Sequence, residues 1–176
     1  MRPFQLSDKE SGRWVRVLES RVGRGHGGAA LAGAAGGSSP SAQGGETIRS
    51  FDHVAVPMRN TDAMARFYRA LGFTVNEGAQ ICSVHFGVNK INFHQPALWQ
   101  REGFTLCAPA AEPPCGDFCF VWDGTTAALW AMLDRAGADV IEGPVDRSGG
   151  RAGGTGSGTS HYIRDPDDNL LEFIVY

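Results

Sequence analysis

Two polar side chains lie in strand-like stretches where an isolated polar group needs a partner. Glu172 lies within residues 170–176, which are otherwise mostly apolar, and His53 lies within the β-favouring residues 48–57. A carboxylate buried among apolar neighbours costs several kcal/mol unless a cation or a metal neutralises it. Imidazole and carboxylate together suit Zn, Ni, Fe, Mn or Co better than Ca. A metal site built on these two residues requires further ligands from other parts of the chain.

The order of predicted elements repeats along the chain. An apolar stripe of helical spacing ends at Leu71-Gly72, and a similar stripe 65 residues later ends at Ala136-Gly137. In each half a strand precedes the helix and three strands follow it. An internal duplication is the economical explanation. The sequence therefore predicts an α+β fold of two βαβββ modules, in which alternate residues of each strand share one face.

The duplication places the polar residues in matching pairs. Asp117 takes the place of His53 in the first strand of its module, and Glu172 takes the place of Asn92 in the last strand. His94 lies two residues beyond Asn92, on the same face of that strand. If the two faces line one cavity, His53 and Glu172 would hold a divalent metal with one or two of Asp117, Asn92 and His94. Asn92 and His94 compete for one position, since their backbones are about 6.5 to 7 Å apart.

The predicted elements and the loops between them follow from local spacing and turn residues. In the first half, strands cover 48–57, 73–76, 81–86 and 90–94, and a helix follows the N-cap candidates Asn60 and Thr61. In the second half, strands cover 117–122, 138–141, 159–164 and 170–176, and a helix runs from Thr125 or Thr126 to Gly137. The proline-containing residues 96–114 are predicted to be a crossing loop. Residues 143–158 hold seven glycines without a GxxxxGK[ST] motif, which favours a flexible surface lid over a phosphate cradle.

The first 47 residues differ in composition from the rest. They hold ten of the 24 glycines and lack apolar periodicity, so they cannot bury enough apolar surface to offset their conformational entropy. We expect residues 1–47 to be a disordered extension that is dispensable for folding. Residues 48–176 are predicted to form one domain, in which module 1 covers 48–96, a linker covers 97–115 and module 2 covers 116–176.

Charge, hydropathy and cysteine spacing argue against several classes of function. Residues 48–176 carry more acidic than basic residues, which argues against a nucleic-acid partner. No apolar run of about 18 residues is present, so no membrane span is predicted. The four cysteines lack CxxC spacing and are predicted to be reduced. We expect a cytoplasmic protein, although the Arg-containing, Ala- and Gly-rich start also has features of an organelle-targeting segment.

Short motifs in both halves form a combination that is specific to one family. In the first half they are Asp52-His53-Val54-Ala55-Val56, Phe67-Tyr68 and Leu71-Gly72-Phe73. In the second half they are Arg164-Asp165-Pro166-Asp167 and Asn169-Leu170-Leu171-Glu172. Together they resemble the vicinal oxygen chelate superfamily, the glyoxalase, bleomycin-resistance and extradiol-dioxygenase group, over about residues 48–176. Residues 86–87, 90–94 and 142–145 are most similar to the branch of glyoxalase domain-containing protein 5 and its bacterial virulence-protein relatives.

The resemblance implies a fold, a set of ligand positions and a partner. Two βαβββ modules would form a cup of curved mixed sheets, often completed in a homodimer, that takes a small-molecule substrate. The family's metal ligands lie on the first and last strands of each module, so His53 and Glu172 inherit that role. Glyoxalase I and the dioxygenases usually carry His or Gln where Asp117 stands, and glyoxalase I carries Glu where Asn92 stands. Asn is a weaker donor, so His94 is a substitute ligand.

Three functions fit these residues. A glyoxalase-I-like lyase or isomerase would use a divalent metal to chelate neighbouring substrate oxygens, with Glu172 taking the proton α to a carbonyl. An extradiol-type ring-cleaving dioxygenase would hold Fe(II) with His53, His94 and Glu172. A metal-free module of the bleomycin-resistance type would sequester an aromatic or drug-like ligand between the two halves. The alignment of Asn92 with Glu172 favours the first of these.

Overall fold

The computed structural model describes residue 48 and residues 50–176, and the predicted disordered extension lies outside these described residues. The first half contains β1 (His53–Pro57), α1 (Thr61–Ala70), β2 (Thr74–Glu77), β3 (Ile81–Phe86), β4 (Asn89–His94) and α2 (Pro96–Trp99). The second half contains β5 (Asp117–Val121), α3 (Thr126–Ala136), β6 (Glu142–Gly149), α4 (Arg151–Gly154), β7 (Gly156–Arg164) and β8 (Leu170–Val175). None of the helices in this part of the chain is long and apolar enough to cross a membrane.

Two four-stranded mixed sheets form the framework. The strand order is β1-β4-β3-β2 in the first sheet and β5-β8-β7-β6 in the second. In each sheet the first strand of the module pairs in parallel with the last, and the remaining pairs are antiparallel. The predicted α+β fold of two βαβββ modules is confirmed.

Both long helices begin at the residues that the sequence indicates. The Asn60 side chain accepts a hydrogen bond from the Ala63 backbone N–H, and the Thr125 hydroxyl does the same for Ala128. These bonds satisfy backbone donors that have no partner within the first turn of a helix. Gly137 caps the C-terminus of α3, and its φ of 65° is a left-handed conformation that glycine adopts without a steric cost.

The strand registers confirm the matching of the two modules. His53 pairs with Lys90 across β1 and β4, and Asn92 lies two residues farther along. Asp117 pairs with Leu170 across β5 and β8, and Glu172 lies two residues farther along. Because side chains two apart on a strand share a face, each module presents its two candidate ligands on one face of its sheet.

The opposite faces of the two sheets pack with the helices into one core. Its largest fully buried side chains come from both modules and include Tyr68, Phe93, Leu129, Leu133 and Ile163. Phe120 of β5 joins the modules directly, with ring centroids 5.0 Å from Phe73 and 5.1 Å from Phe86. Since this core uses one face of each sheet, the faces that carry the candidate ligands are the outward ones.

The turn at residues 165–169 ties the second module to the first. Asp165 Oδ2 accepts from the Tyr68 hydroxyl of α1 at 3.0 Å, and its Oδ1 accepts from the Asp167 and Asn169 backbone. Asp167 accepts from the backbone N–H groups of Arg59 and Asn60, at the start of α1. The side chains of Asp165, Asp167 and Asn169 are buried, and Asn169 Oδ1 accepts from the backbone N–H groups of Cys115 and Gly116. Their oxygens are fully engaged, so this cluster of polar groups is a structural link between the modules.

Two predictions for residues 138–158 are wrong. The strand predicted at 138–141 begins instead at Glu142, and the segment 143–158, predicted to be a lid, is mainly the hairpin of β6 and β7, whose register shifts between Glu142 and Val145. The glycines there permit close packing: a Cβ on Gly158 would lie 2.7 Å from Ile174 Cγ1 and 2.8 Å from the Val175 carbonyl oxygen. The predicted crossing loop contains the short helix α2, which begins with Pro96, a residue favoured in a first helical turn.

Candidate active site

Asp117 and Glu172 line one cleft on the outward face of the second sheet. Its volume is about 430 Å³. The charged and aromatic residues around it are Asp117, Glu142, Arg147, Tyr162, Arg164 and Glu172. We call this the acidic cleft, since three carboxylates face two guanidinium groups. No hydrogen bond to the Asp117 carboxylate occurs among the described residues, so it is available to a ligand.

Glu172 lies in the middle of a row of side chains that crosses the second sheet. Its register partners are Cys119 on β5 and Tyr162 on β7. The buried hydroxyl of Ser160 donates to Glu172 Oε1. Burial, and then the charge of Glu172, raises the pKa of the Cys119 thiol to about 12. The thiol therefore stays protonated and lies within hydrogen-bonding reach of the Glu172 carboxylate.

Arg147 contacts both the ring and the hydroxyl group of Tyr162. Its guanidinium lies 5.5 Å from the ring centroid, and its Nε donates to the Tyr162 hydroxyl oxygen at 3.0 Å. Its other end forms an ion pair with Glu142 at 3.0 Å. Burial raises the pKa of Tyr162, and the hydrogen bond from Arg147 partly opposes that rise. The phenol stays protonated, its oxygen accepts from Arg147, and its hydroxyl lies beside the Glu172 carboxylate, whose charge also raises the pKa of Tyr162.

His53 and Asn92 lie on the outward face of the first sheet. His53 is 45% exposed, and its Nδ1 lies 2.6 Å from Asp52 Oδ1. Lys90 lies directly beside it, and His85 lies beside Lys90 on the next strand. This outward face carries imidazole, amide and ammonium groups, in contrast with the carboxylates of the acidic cleft.

His94 does not lie close to His53. It pairs with Pro57, whereas His53 pairs with Lys90 four residues earlier on β4, a separation of about 13 Å along the strand. Its ring packs edge-on against Phe104 with the centroids 5.5 Å apart. Burial lowers the pKa of His94. The register therefore does not favour His94 as a ligand beside His53.

The structure brings the candidate ligands together in two pairs rather than in one cluster. Asp117 and Glu172 share the acidic cleft, and His53 and Asn92 share the outward face of the first sheet. Within residues 48 and 50–176, no three His, Cys, Asp or Glu side chains are close enough to enclose a metal. Four residues around Glu172 escaped the sequence interpretation, namely Cys119, Arg147, Ser160 and Tyr162. Alternation along β7 could have identified Ser160 and Tyr162, but pairing across strands needs the register.

Comparison with known proteins identifies the family. No family model matches the chain. The chain is 35% identical to the glyoxalase domain-containing protein RDO1 of Mycosarcoma maydis over 131 residues, which cover 74% of this chain and 70% of the relative. It is also 35% identical to the virulence protein STM3117 of Salmonella typhimurium over 135 residues, which cover 73% of this chain and 85% of that protein. The chain belongs to the vicinal oxygen chelate superfamily.

Solved structures agree with this membership. The crystal structure of STM3117 matches with a TM-score of 0.64 at 34% identity, covering 74% of this chain and 99% of that one. A lactoylglutathione lyase of Agrobacterium tumefaciens matches with a TM-score of 0.55 at 18% identity, covering 73% of this chain and 95% of that one. At 18% identity the second match speaks for the fold alone. The closer likeness to the branch of glyoxalase domain-containing protein 5 stays a prediction.

Proposed function

We propose that the protein is a metal-dependent lyase or isomerase of the glyoxalase I type, active as a homodimer. His53 and Asn92 of one chain and the partner's Asp117 and Glu172 would together hold one divalent ion. The observation that carries this proposal is the division of the candidate ligands into two pairs on two outward faces. Neither pair alone supplies enough ligands for a metal site. In a twofold dimer, the first-sheet face of each chain would lie against the second-sheet face of its partner, which would form two such sites.

The donor set fits a divalent transition metal. The His53 Nδ1 is engaged by Asp52, so Nε2 is the nitrogen left for a metal. Two carboxylates, one amide oxygen and one imidazole suit Zn, Ni, Fe, Mn or Co. The charges of the two faces are also complementary, since the ammonium group of Lys90, beside His53, would approach the carboxylates of the acidic cleft.

The residues around Glu172 suit proton transfer on a small substrate. A bound ion would supply Lewis acidity to two neighbouring oxygens of the substrate. Glu172, fixed at Oε1 by Ser160, would take a proton from the carbon next to a carbonyl through Oε2. The acidic cleft is of a size for a small molecule. All four cysteines are free, which fits a reducing compartment such as the cytoplasm.

A second candidate function is metal-free ligand binding. A groove of about 640 Å³ runs between the two modules. Its aromatic lining residues are Phe73, Phe86, Phe120, Trp122 and Phe173. Such a lining favours a flat aromatic ligand. The dioxygenase alternative lacks comparable support, because it requires His94 to join His53 at one iron.

Metal analysis and two activity assays test the proposal. Protein purified without an affinity tag would be loaded with nickel, zinc or ferrous iron and assayed for bound metal. Loss of the hemithioacetal of methylglyoxal and glutathione would be followed beside oxygen uptake with catechols. We expect metal binding and hemithioacetal loss, both of which fail in His53→Ala and Glu172→Ala but persist in Asp139→Ala. Tight aromatic-ligand binding without metal would support the second candidate and contradict the first.

A further inference from the structure

We infer that Asp52 is a positioning residue that fixes the tautomer and the orientation of His53 so that Nε2 is presented to a metal. This inference rests on the proposed metal site. Its geometric basis is the contact of Asp52 Oδ1 with His53 Nδ1 at 2.6 Å. A carboxylate acceptor at that distance requires a hydrogen on Nδ1, which in the neutral imidazole leaves the lone pair on Nε2. Metal-binding histidines generally donate their other ring N–H in this way.

The backbone around Asp52 is held in place by the first two residues of β4. The Lys90 backbone N–H donates to the Asp52 carbonyl oxygen at 3.3 Å. The Asn89 side chain donates to the carbonyl oxygens of Phe51 and Asp52. Since Asp52 precedes β1, these bonds determine where its side chain begins. The backbone of Asp52 is thus anchored, while its side chain is 85% exposed.

The second module lacks an equivalent residue. Gly116 takes the place of Asp52, because its carbonyl oxygen accepts from Leu170 as that of Asp52 accepts from Lys90. A Cβ on Gly116 would lie 2.5 Å from the Phe118 ring and 2.9 Å from Asn169 Oδ1. No side chain fits at this position. The ligand of the second module, Asp117, is a carboxylate, which has no tautomers and therefore needs no residue to select one. The orienting carboxylate occurs in the module whose ligand is an imidazole.

The test combines NMR of the metal-free protein with zinc affinity. Long-range ¹H–¹⁵N correlation at slightly alkaline pH reports which His53 nitrogen carries the hydrogen. Zinc affinity would be measured by competition with a fluorescent chelator. We expect Nδ1–H in the wild type, loss of that preference in Asp52→Ala, and an affinity for zinc lowered by about 10- to 100-fold. Asp52→Asn keeps an acceptor oxygen without the charge and should retain the tautomer with a smaller loss of affinity. Asp139→Ala, which removes another exposed carboxylate, should match the wild type.

Each other outcome overturns a defined part of this account. If the wild type binds zinc and Asp52→Ala binds it equally well, the inference is wrong and the proposed function stands. If Asp52→Ala loses affinity while the His53 tautomer is unchanged, Asp52 acts by charge alone and the positioning role is wrong. If the wild type binds none of the tested metals, both the inference and the proposed function fail.

Discussion

The two modules share one framework but differ at the positions that could do chemistry. His53 of the first matches Asp117 of the second, and Asn92 matches Glu172. The core position that holds Cys82 in the first module holds His161 in the second, since both pair with a phenylalanine of the last strand. The backbone register is preserved while the side chains have diverged. The outward faces are therefore unlike, with imidazole and amide groups on one and carboxylates on the other.

The connections before the last strands differ as strongly. In the first module β3 and β4 are joined through Gly87 and Val88, whereas β7 and β8 are joined through the five-residue turn 165–169. The longer turn reaches across to the other module through the hydrogen bonds of Asp165 and Asp167. The comparison shows that the second module supplies both the acidic cleft and the link that holds the two modules together. Each of the following changes tests one side of this comparison.

The largest effect is expected at the turn. Asp165→Ala removes the acceptor of Tyr68, Asp167 and Asn169 and leaves buried donors without partners. The free energy of unfolding should fall by about 3 kcal/mol or more, as measured by urea denaturation. Asp168→Asn is the matched control, because Asp168 is exposed and its φ of 70° is tolerated by Asn. A loss below about 1 kcal/mol in Asp165→Ala would show that the turn does not link the modules.

An intermediate effect is expected when the first module receives the carboxylate of the second. The substitution Asn92→Glu gives the first module the same residue that the second module carries at the matching position, Glu172. A carboxylate is a stronger ligand than an amide, so zinc affinity should rise by about 10-fold. Chelator competition measures this change. Gln in place of Asn92 is the control, since it has the length of Glu without the charge. An unchanged affinity in both variants would remove Asn92 from the ligand set.

The smallest effect concerns the buried position that differs between the modules. Burial lowers the pKa of His161 below its ordinary 6.5. The unfolded chain therefore takes up a proton that the folded chain does not, and stability falls as the pH drops through about 6.5. His161→Cys installs the residue of the first module, which stays neutral in that range. Denaturation between pH 8 and 5 should show a shallower loss of stability in this variant, and His94, whose pKa is also lowered by burial, contributes to the slope that remains. An equal slope would contradict the burial of a neutral His161.

Local spacing made much of the fold predictable. The elements and the caps at Asn60 and Thr125 depend on residues a few positions apart, and the matching of His53 with Asp117 follows from the repetition of these local patterns in the second half. The bonds of Asp167 to Arg59 and Asn60 join residues 108 and 107 positions apart and leave no local pattern. The prediction for β6 was wrong because a high glycine content does not distinguish a strand whose glycines permit close packing from a flexible loop.

The candidate site was less predictable than the fold. Alternation along single strands indicated which residues share a face, so the pairs His53–Asn92 and Asp117–Glu172 were accessible from the sequence. His94 shares the face of Asn92 as well, and only the pairing of His53 with Lys90 separates it from His53. In the proposed dimer, the meeting of the two outward faces would depend on packing between chains, for which a single sequence holds no local signal.

The central claim is that one metal site is built from two chains, and a mixed dimer tests it most directly. A chain carrying His53→Ala keeps Asp117 and Glu172, and a chain carrying Glu172→Ala keeps His53 and Asn92. The two would be given different tags, refolded together, and the mixed dimer purified through both tags, after which the tags are removed. We expect the mixed dimer to regain metal at one of its two sites, while each variant alone binds none. A mixed dimer that binds no metal, beside a wild type that does, would contradict a site shared between chains.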